Sequence, residues 1–431
     1  MLYLISGRSA AVCGYIGNHS TRQALLPTRI HAILADSTQR IIAGISDCTE
    51  DKSRAELRFS ASPVIQSLKQ AINLKMRTYR IAVIAGDGIG CEVIPVGSRL
   101  LEEAGKQFGF GFHWTQFPWG SDYYFETGSM MPPDGLDQLR SFDAIYFGAV
   151  GHPRLQDNLT LNGLLLPIRR GFDQYACVRP SILYPAVRSP LAGKSAWEID
   201  LVVVRENTEG EYSQVGGTIY TGSSDEVAMQ TAVFTRRGTE RVIRFAFELA
   251  RRRNKKRKLT SVTKSNAQGF SMAFWDRVFA EVSGDFPDIQ TESLLVDAAC
   301  MDLIRRPESF DVIVASNLFG DILTDMSAMI TGSLGLAPSA NLNPTKTYPS
   351  MFEPVHGSAP DISGKGVANP MAAIFAGAMM LEFLGEVEAS RRLEESVVAV
   401  LSDGIPLTAD LGGSAKTHEV GNAVAERLSA P

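Results

Sequence analysis

The sequence predicts an α/β fold around an open parallel sheet, and three observations carry that expectation. An apolar stretch at residues 79–85 (YRIAVIA) runs into the glycine loop GDGIG at 86–90 and then into a helical stretch at 92–107; strand, tight loop and helix in that order is how parallel strands are joined. The run DVIVA at 311–315 has the unbroken apolar character of a strand buried on both faces. The chain has 431 residues, 45% of them hydrophobic and 21% charged, which suits a globular protein of two or three domains with a large core.

Further strands are expected at 111–117, 143–147, 199–205 and 259–262, with helices between them. Thr235 is expected to cap a long helix whose buried stripe is Val242, Phe245, Ala246 and Leu249. That helix ends in the basic run RRRNKKRK at 251–258. Such a run is read either as a nucleic-acid or nuclear-import patch or as a solvated helix terminus, where cations suit the dipole. The net charge of −5 favours the solvated terminus and gives no general attraction to nucleic acid or an anionic membrane. Residues 370–384 are apolar but too short to span a bilayer, and read as a buried helix. Five cysteines, none in a CxxC pair, fit reduced thiols in an intracellular compartment and suggest no metal-thiolate site.

Residues 1–75 lack a clear period and are expected to be a disordered extension, with the catalytic chain starting at Met76. A cytoplasmic location follows. The alternative is a mitochondrial transit segment, because no acid occurs before Asp36 while Arg8, Arg22 and Arg29 do.

Three clusters carry chemistry. In NLFGDILTD (317–325) Asp321 and Asp325 stand one helical turn apart and would share a face. They are read either as a site for a hard divalent cation, Mg²⁺ or Mn²⁺, or as a solvated acidic face. Their apolar neighbours Leu318, Phe319, Ile322, Leu323 and Met326 weaken the second reading. Arg169, Arg179 and Arg205 form a basic set, and guanidinium groups match carboxylates bidentately, so convergence would clamp a di- or tricarboxylic acid. Tyr212 and Lys264 are acid and base candidates in the adjoining motifs. GDGIG lacks the GxGxxG spacing and is a weak cofactor signal. EPVHGSAPDI (353–362), with Asn369 beyond it, is the better nucleotide candidate. Gly357, Ser358 and Ala359 permit close backbone approach, His356 can stack or hydrogen-bond, and Asp361 can accept from a ribose hydroxyl. An ordinary surface loop is the alternative there.

GDGIG, RRGFDQYACVR, VRENTEGEY, TKSN, VDA at 296–298, NLFGDILTD and EPVHGSAPDI occur in the order found in the β-decarboxylating dehydrogenases of 2-hydroxy acids. The chain resembles that family, which includes isopropylmalate, isocitrate, tartrate and D-malate dehydrogenases, from about Tyr79 to its end. FDAIYFGAVGHP, PLAGK and APSANLNP are most similar to the tartrate and D-malate branch. The resemblance implies an isopropylmalate-dehydrogenase-like fold of two α/β domains, residues 76–174 with 337–431 binding the cofactor and residues 175–336 forming the smaller, dimerising domain, with the active site in the cleft between them. It implies a homodimer in which Lys264 and Asp297 reach the partner's site. Asp297 would complete a metal set with Asp321 and Asp325, and Tyr212 would return a proton after CO₂ leaves. It further implies NAD at His356, Asp361, Ile362 and Asn369, and leaves room for a monovalent cation such as K⁺. Asn162, Leu165 and Leu166 would face the group on the substrate's third carbon, and Asn162 departs from the Trp of the tartrate and D-malate branch. A small 2-hydroxy dicarboxylate, tartrate or D-malate, is therefore expected, with 3-isopropylmalate as the alternative. A catalytically silent regulatory subunit on the same fold would be expected to lose a metal carboxylate, the base or an arginine, and all are present.

Overall fold

The computed structural model describes residues 77–430, so the expectations for residues 1–75 lie outside it. Its strands are β1 (Arg77–Gly86), β2 (Phe110–Gln116), β3 (Ala144–Ala149), β4 (Ala176–Ile182), β5 (Asp200–Glu206), β6 (Gly210–Ile219), β7 (Val227–Val233), β8 (Lys258–Thr263), β9 (Gln290–Leu295), β10 (Val312–Ala315), β11 (Pro338–Leu342) and β12 (Ser350–Pro354). The principal helices are α1 (Gly90–Phe108), α2 (Leu166–Gly171), α3 (Arg236–Arg253), α4 (Val296–Arg305), α5 (Asn317–Ile330), α6 (Met371–Leu384), α7 (Val387–Asp403) and α8 (Thr417–Ser429). Ten strands form one sheet in the order β2-β1-β3-β12-β11-β4-β5-β10-β8-β9, while β6 and β7 pair as a separate antiparallel ribbon. The described residues form one compact unit.

The sheet is mixed, not wholly parallel as the strand-loop-helix pattern implied. Four strands at each end run parallel, but β11 is antiparallel to both β12 and β4, and β4 is antiparallel to β5. The connections explain this. Residues 343–349 between β11 and β12 are too few for a crossover, and residues 183–199 between β4 and β5 contain no helix, whereas a parallel connection needs about a dozen residues and usually a helix.

Because successive side chains on a strand point to opposite faces, the register at this seam sorts residues by role. Cys177 lies opposite Arg205, and Ser339 opposite Glu353. Arg179, Arg205, Ser339 and Glu353 therefore share one face. Ala340 lies opposite both Val178 and Phe352, so these three share the other.

Elsewhere β1 serves two cores at once. Ile81 and Val83 pack with α1 and α6, while Ala82 and Ile84 pack with Trp119, Phe147, Ile168 and Phe172. The expected buried helix at 370–384 is α6, buried on most sides. Tyr146 of β3 donates to the Ala373 carbonyl of α6 at 2.7 Å, and a Cβ on Gly97 of α1 would come within 2.0 Å of the same hydroxyl. One buried phenol thus sets the spacing of three elements.

Thr235 caps α3 as expected, its hydroxyl accepting from Gly238 N–H at 3.0 Å. Thr235→Ala should lower the unfolding free energy by about 1 kcal/mol, the usual worth of such a cap, measured by urea titration. An unchanged midpoint would show that the cap does not hold the helix start.

Candidate active site

The three arginines converge. Arg179 comes from the middle of β4, Arg205 from the end of β5 and Arg169 from α2, and together they line a cavity of about 160 Å³. All three are buried. Burying a guanidinium is costly unless its donors are met, and most are. Arg169 Nη2 lies 2.7 Å from Glu353 Oε1, which also accepts from Asn341 Nδ2 at 2.7 Å. Arg179 Nη1 donates to Thr324 Oγ1 at 2.7 Å and Nε to Ser339 Oγ at 3.3 Å. Arg205 donates twice to Asn317 Oδ1, from Nε at 3.0 Å and Nη2 at 2.7 Å, and its Nη1 pairs with Asp321.

Two acids, Glu353 and Asp321, line the cavity against these three cations, and the buried Nε of Arg169 has no partner among the described residues. The cavity is therefore short of negative charge. A ligand carboxylate would supply it.

Asp321 and Asp325 share one face of α5, each with Oδ1 near Arg179 Nη1, at 3.6 and 3.8 Å. They are not equivalent. Burial works to raise Asp321, but Arg205 and Arg179 outweigh it and hold the carboxyl below the usual aspartate range. Burial pushes Asp325 up, with Asp321's charge adding and Arg179 opposing. The side chain of Asp321 is 33% exposed and faces the cavity, whereas that of Asp325 is 64% exposed, at the rim. A wholly solvated acidic face is thus excluded for Asp321. Asp297 lies elsewhere: it accepts from Lys264 Nζ at 2.6 Å, and no group of three metal-ligating side chains forms among the described residues. Two hard carboxylates on one face, open on one side, fit part of the oxygen shell of Mg²⁺ or Mn²⁺.

Tyr212 donates to Asp321 Oδ2 at 2.6 Å, and its ring lies 5.1 Å from the Arg205 guanidinium carbon. Burial, together with the Asp321 hydrogen bond and charge, pushes the phenol up to about 12. It keeps its proton at neutral pH. Lys264, just past β8, does not line this cavity, nor does Asp297.

The expected specificity residues divide. Residues 161–165 form a π turn between a short helix (Asp157–Thr160) and α2. The i→i+5 bonding rotates the preceding residues relative to an α-helix. Leu165 lines the cavity as expected, joined by Leu161. Asn162 does not: it lines a separate groove with Met130 and Leu159 and pairs with Gln214. Leu166 is buried and lines neither pocket.

The 353–369 segment also divides. His356 and Gly357 line the arginine cavity, and Gly357, Ser358 and Ala359 line an adjoining open cleft of about 720 Å³. Burial pushes the His356 imidazole down, its Nδ1 lies 3.0 Å from the Gly357 carbonyl, and its buried Nε2 has no partner among the described residues. Asp361 is exposed and Ile362 half-buried. Asn369 is buried, accepting from Met371 N–H at 3.0 Å and donating to Asp410 at 3.0 Å. GDGIG supports this segment from beneath. Gly88 (φ 55) leaves no room for a side chain, since a Cβ would meet the Ser358 carbonyl at 2.0 Å, and Ile89 N–H donates to that carbonyl at 2.9 Å.

Asn317 and Glu353 orient two of the arginines and were not singled out from sequence. Each opens a motif, NLFGDILTD and EPVHGSAPDI, so motif membership was the available signal.

A family model described as isocitrate/isopropylmalate dehydrogenase matches residues 80–424. The chain belongs to the isocitrate/isopropylmalate dehydrogenase family. It is therefore an oxidoreductase acting on a CH–OH group. It is 52% identical over 355 residues to a probable tartrate dehydrogenase/decarboxylase of Agrobacterium vitis, covering 82% of this chain and 99% of that one. It is 51% identical over 355 residues to the D-malate dehydrogenase (decarboxylating) of Escherichia coli K12, covering 81% of this chain and 98% of the relative. Among solved structures, isocitrate dehydrogenase from Methylococcus capsulatus superposes with a TM-score of 0.75 at 36% identity, over 82% of this chain and all of that one. No helix among the described residues is long and apolar enough to cross a membrane.

Asn317→Ala should raise KM for the dicarboxylate of this dehydrogenase roughly tenfold, about the worth of one charged hydrogen bond, by freeing the Arg205 guanidinium. KM for the dinucleotide should stay within about twofold. Steady-state kinetics decide, and an equal rise in both constants would remove Asn317 from the substrate side.

Proposed function

We propose that this enzyme oxidises and decarboxylates a small 2-hydroxy dicarboxylic acid, tartrate or D-malate, with NAD as hydride acceptor and Mg²⁺ or Mn²⁺ as metal. The observation that carries this is the arginine cavity: three buried guanidiniums, a deficit of negative charge and a protonated tyrosine in about 160 Å³, a size suited to a compact diacid. The names of the relatives point the same way.

Arg169, Arg179 and Arg205 bind and orient the two carboxylates. Asp321 and Asp325 hold the divalent cation, which when bound supplies Lewis-acid polarisation of the substrate. NAD⁺ would supply the hydride acceptor for the alcohol carbon, and Lys264 would take the hydroxyl proton. The carboxylate β to the new carbonyl leaves as CO₂, its bonding electrons remaining as an enolate, which takes the proton of Tyr212; from D-malate the product is pyruvate.

Lys264 and Asp297 act on the partner's site in a homodimer. Supporting this, they pair with one another away from their own cavity, and large apolar side chains stand exposed nearby in sequence on α4 and α5: Met301, Ile304, Ile322 and Met329. The same reading divides the chain at the β11–β4 seam, residues 76–174 and 337–431 on one side and 175–336 on the other. NAD is preferred to NADP because the exposed Asp361 carboxylate would repel a 2′-phosphate and accept from a 2′-hydroxyl.

One observation favours 3-isopropylmalate as a second reading: Leu161 and Leu165 line the cavity while Asn162 turns away, and an apolar wall suits an isopropyl group. NADH formation with Mn²⁺, measured against D-malate, L-tartrate, 3-isopropylmalate and isocitrate, separates the two. Highest kcat/KM with D-malate or tartrate is expected; a preference for isopropylmalate overturns the assignment, and inactivity of folded protein towards all four overturns the enzyme reading.

Asp321→Asn should weaken Mn²⁺ binding at least tenfold, ~1.4 kcal/mol, with NAD binding nearly unchanged, as read by electron paramagnetic resonance of free Mn²⁺. Cation binding needs both carboxylates ionised. Because Asp325 has a raised pKa, it regains its proton at higher pH than an ordinary aspartate as the solution is acidified. Mn²⁺ affinity should accordingly fall with falling pH from a higher starting point, and Asp325→Asn should flatten that dependence.

A further inference from the structure

Behind the arginines, on the opposite face of the sheet, lies a groove of about 310 Å³. Val178, Ala340 and Phe352 form its floor, Phe245 and Leu249 of α3 one wall, and Met379 and Phe383 of α6 the other. It crosses the seam, so an occupant would touch both halves of the sheet at once. At ~30 Å³ per water-sized group it holds roughly ten such groups, and its size is at the lower end of ordinary ligand pockets.

Its mouth is charged. Arg252, Lys346 and Glu382 stand there. Most of the basic run that ends α3 is neutralised: Arg251 pairs with Asp288, Arg253 with Asp200 and Asp311, Lys255 with Asp200, and Lys258 with Glu292. Arg252 differs, having among the described residues only the Phe245 ring, 5.7 Å from its guanidinium carbon. Lys346 lies 4.5 Å above the Phe383 ring and donates to the Phe383 carbonyl, with no carboxylate partner among the described residues. Glu382 pairs with neither cation, leaving the mouth with a surplus of one positive charge. An apolar trough whose mouth holds two cations that no acid among the described residues pairs, and a net positive charge, complements a ligand with an apolar tail and one anionic head.

We propose that this groove is a second ligand site, which takes a small amphipathic carboxylate: an acyl or aryl tail against Leu249 and Met379, with the head on Arg252 and Lys346. It shares no side chain with the arginine cavity and is independent of which 2-hydroxy acid is oxidised.

Octanoate is a probe of suitable length, and 1-octanol is its uncharged counterpart. Titrated into the full chain and followed by saturation-transfer NMR, octanoate should bind saturably at one site per chain. 1-Octanol, and octanoate with the Arg252→Gln/Lys346→Gln double variant, should each bind about fivefold more weakly, the upper range for exposed ion pairs. Leu249→Trp should fill the trough and abolish binding while NADH formation persists. Should that variant fail to fold, Met379→Trp fills it from the other wall. The proposal is overturned if octanoate shows no saturable binding at millimolar concentration, if octanol binds equally well, or if either the charge or the wall variants leave affinity unchanged.

Discussion

The carboxylate of Asp321 is the point on which the site depends. It takes a guanidinium nitrogen of Arg205, accepts the Tyr212 hydroxyl at 2.6 Å and lies 3.6 Å from Arg179. One oxygen pair thus fixes the direction of two buried guanidiniums and takes the hydrogen bond of a protonated phenol. The arginines in turn keep Asp321 ionised despite its burial. Neither sign of charge is tolerable here alone, and each is the condition of the other. Asn317, one turn earlier on α5, extends the arrangement by taking two further Arg205 donors, so the start of a single helix orients carboxylate, guanidinium and phenol together.

Much of this is legible in the sequence because apolar runs and special backbone positions leave strong local signatures. The strands at 79–85, 111–117, 199–205 and 259–262, the Thr235 cap and the buried helix at 370–384 are found within a residue or two of their expected bounds. The three arginines, Asp321 and Tyr212 meet because α2, β4, β5, β6 and α5 bring them to one face of the antiparallel seam. Strand direction was less legible. The antiparallel seam depends on the shortness of residues 343–349 and on a helix-free 183–199 segment, features that acquire meaning only when neighbouring strands are known.

The π turn at 161–165 was hidden for a related reason. Leu161, Asn162, Leu164, Leu165 and Leu166 read equally well as one turn of an α-helix, and counting back from Arg169 then points at Asn162. One wider turn moves Leu161 inward and Asn162 outward. GDGIG is a weak cofactor signal by its spacing, and its contacts give the glycines another use. The contact that excludes a side chain at Gly88 is the Ser358 carbonyl, so the loop serves the packing of the 353–369 segment.

The alternation along β4, β11 and β12 has a consequence for how such an enzyme changes over time. Arg179, Ser339 and Glu353 are each separated by one peptide bond from Val178, Ala340 and Phe352, which pack against different helices. Interiors at crystal-like density transmit small volume changes. A methylene gained or lost at Ala340 would therefore reach Arg179 through Ser339 without altering a single side chain in contact with substrate. Two descendants of this chain with identical cavities need not share a preference, and inheritance of specificity runs through the reverse of the sheet as well as its front.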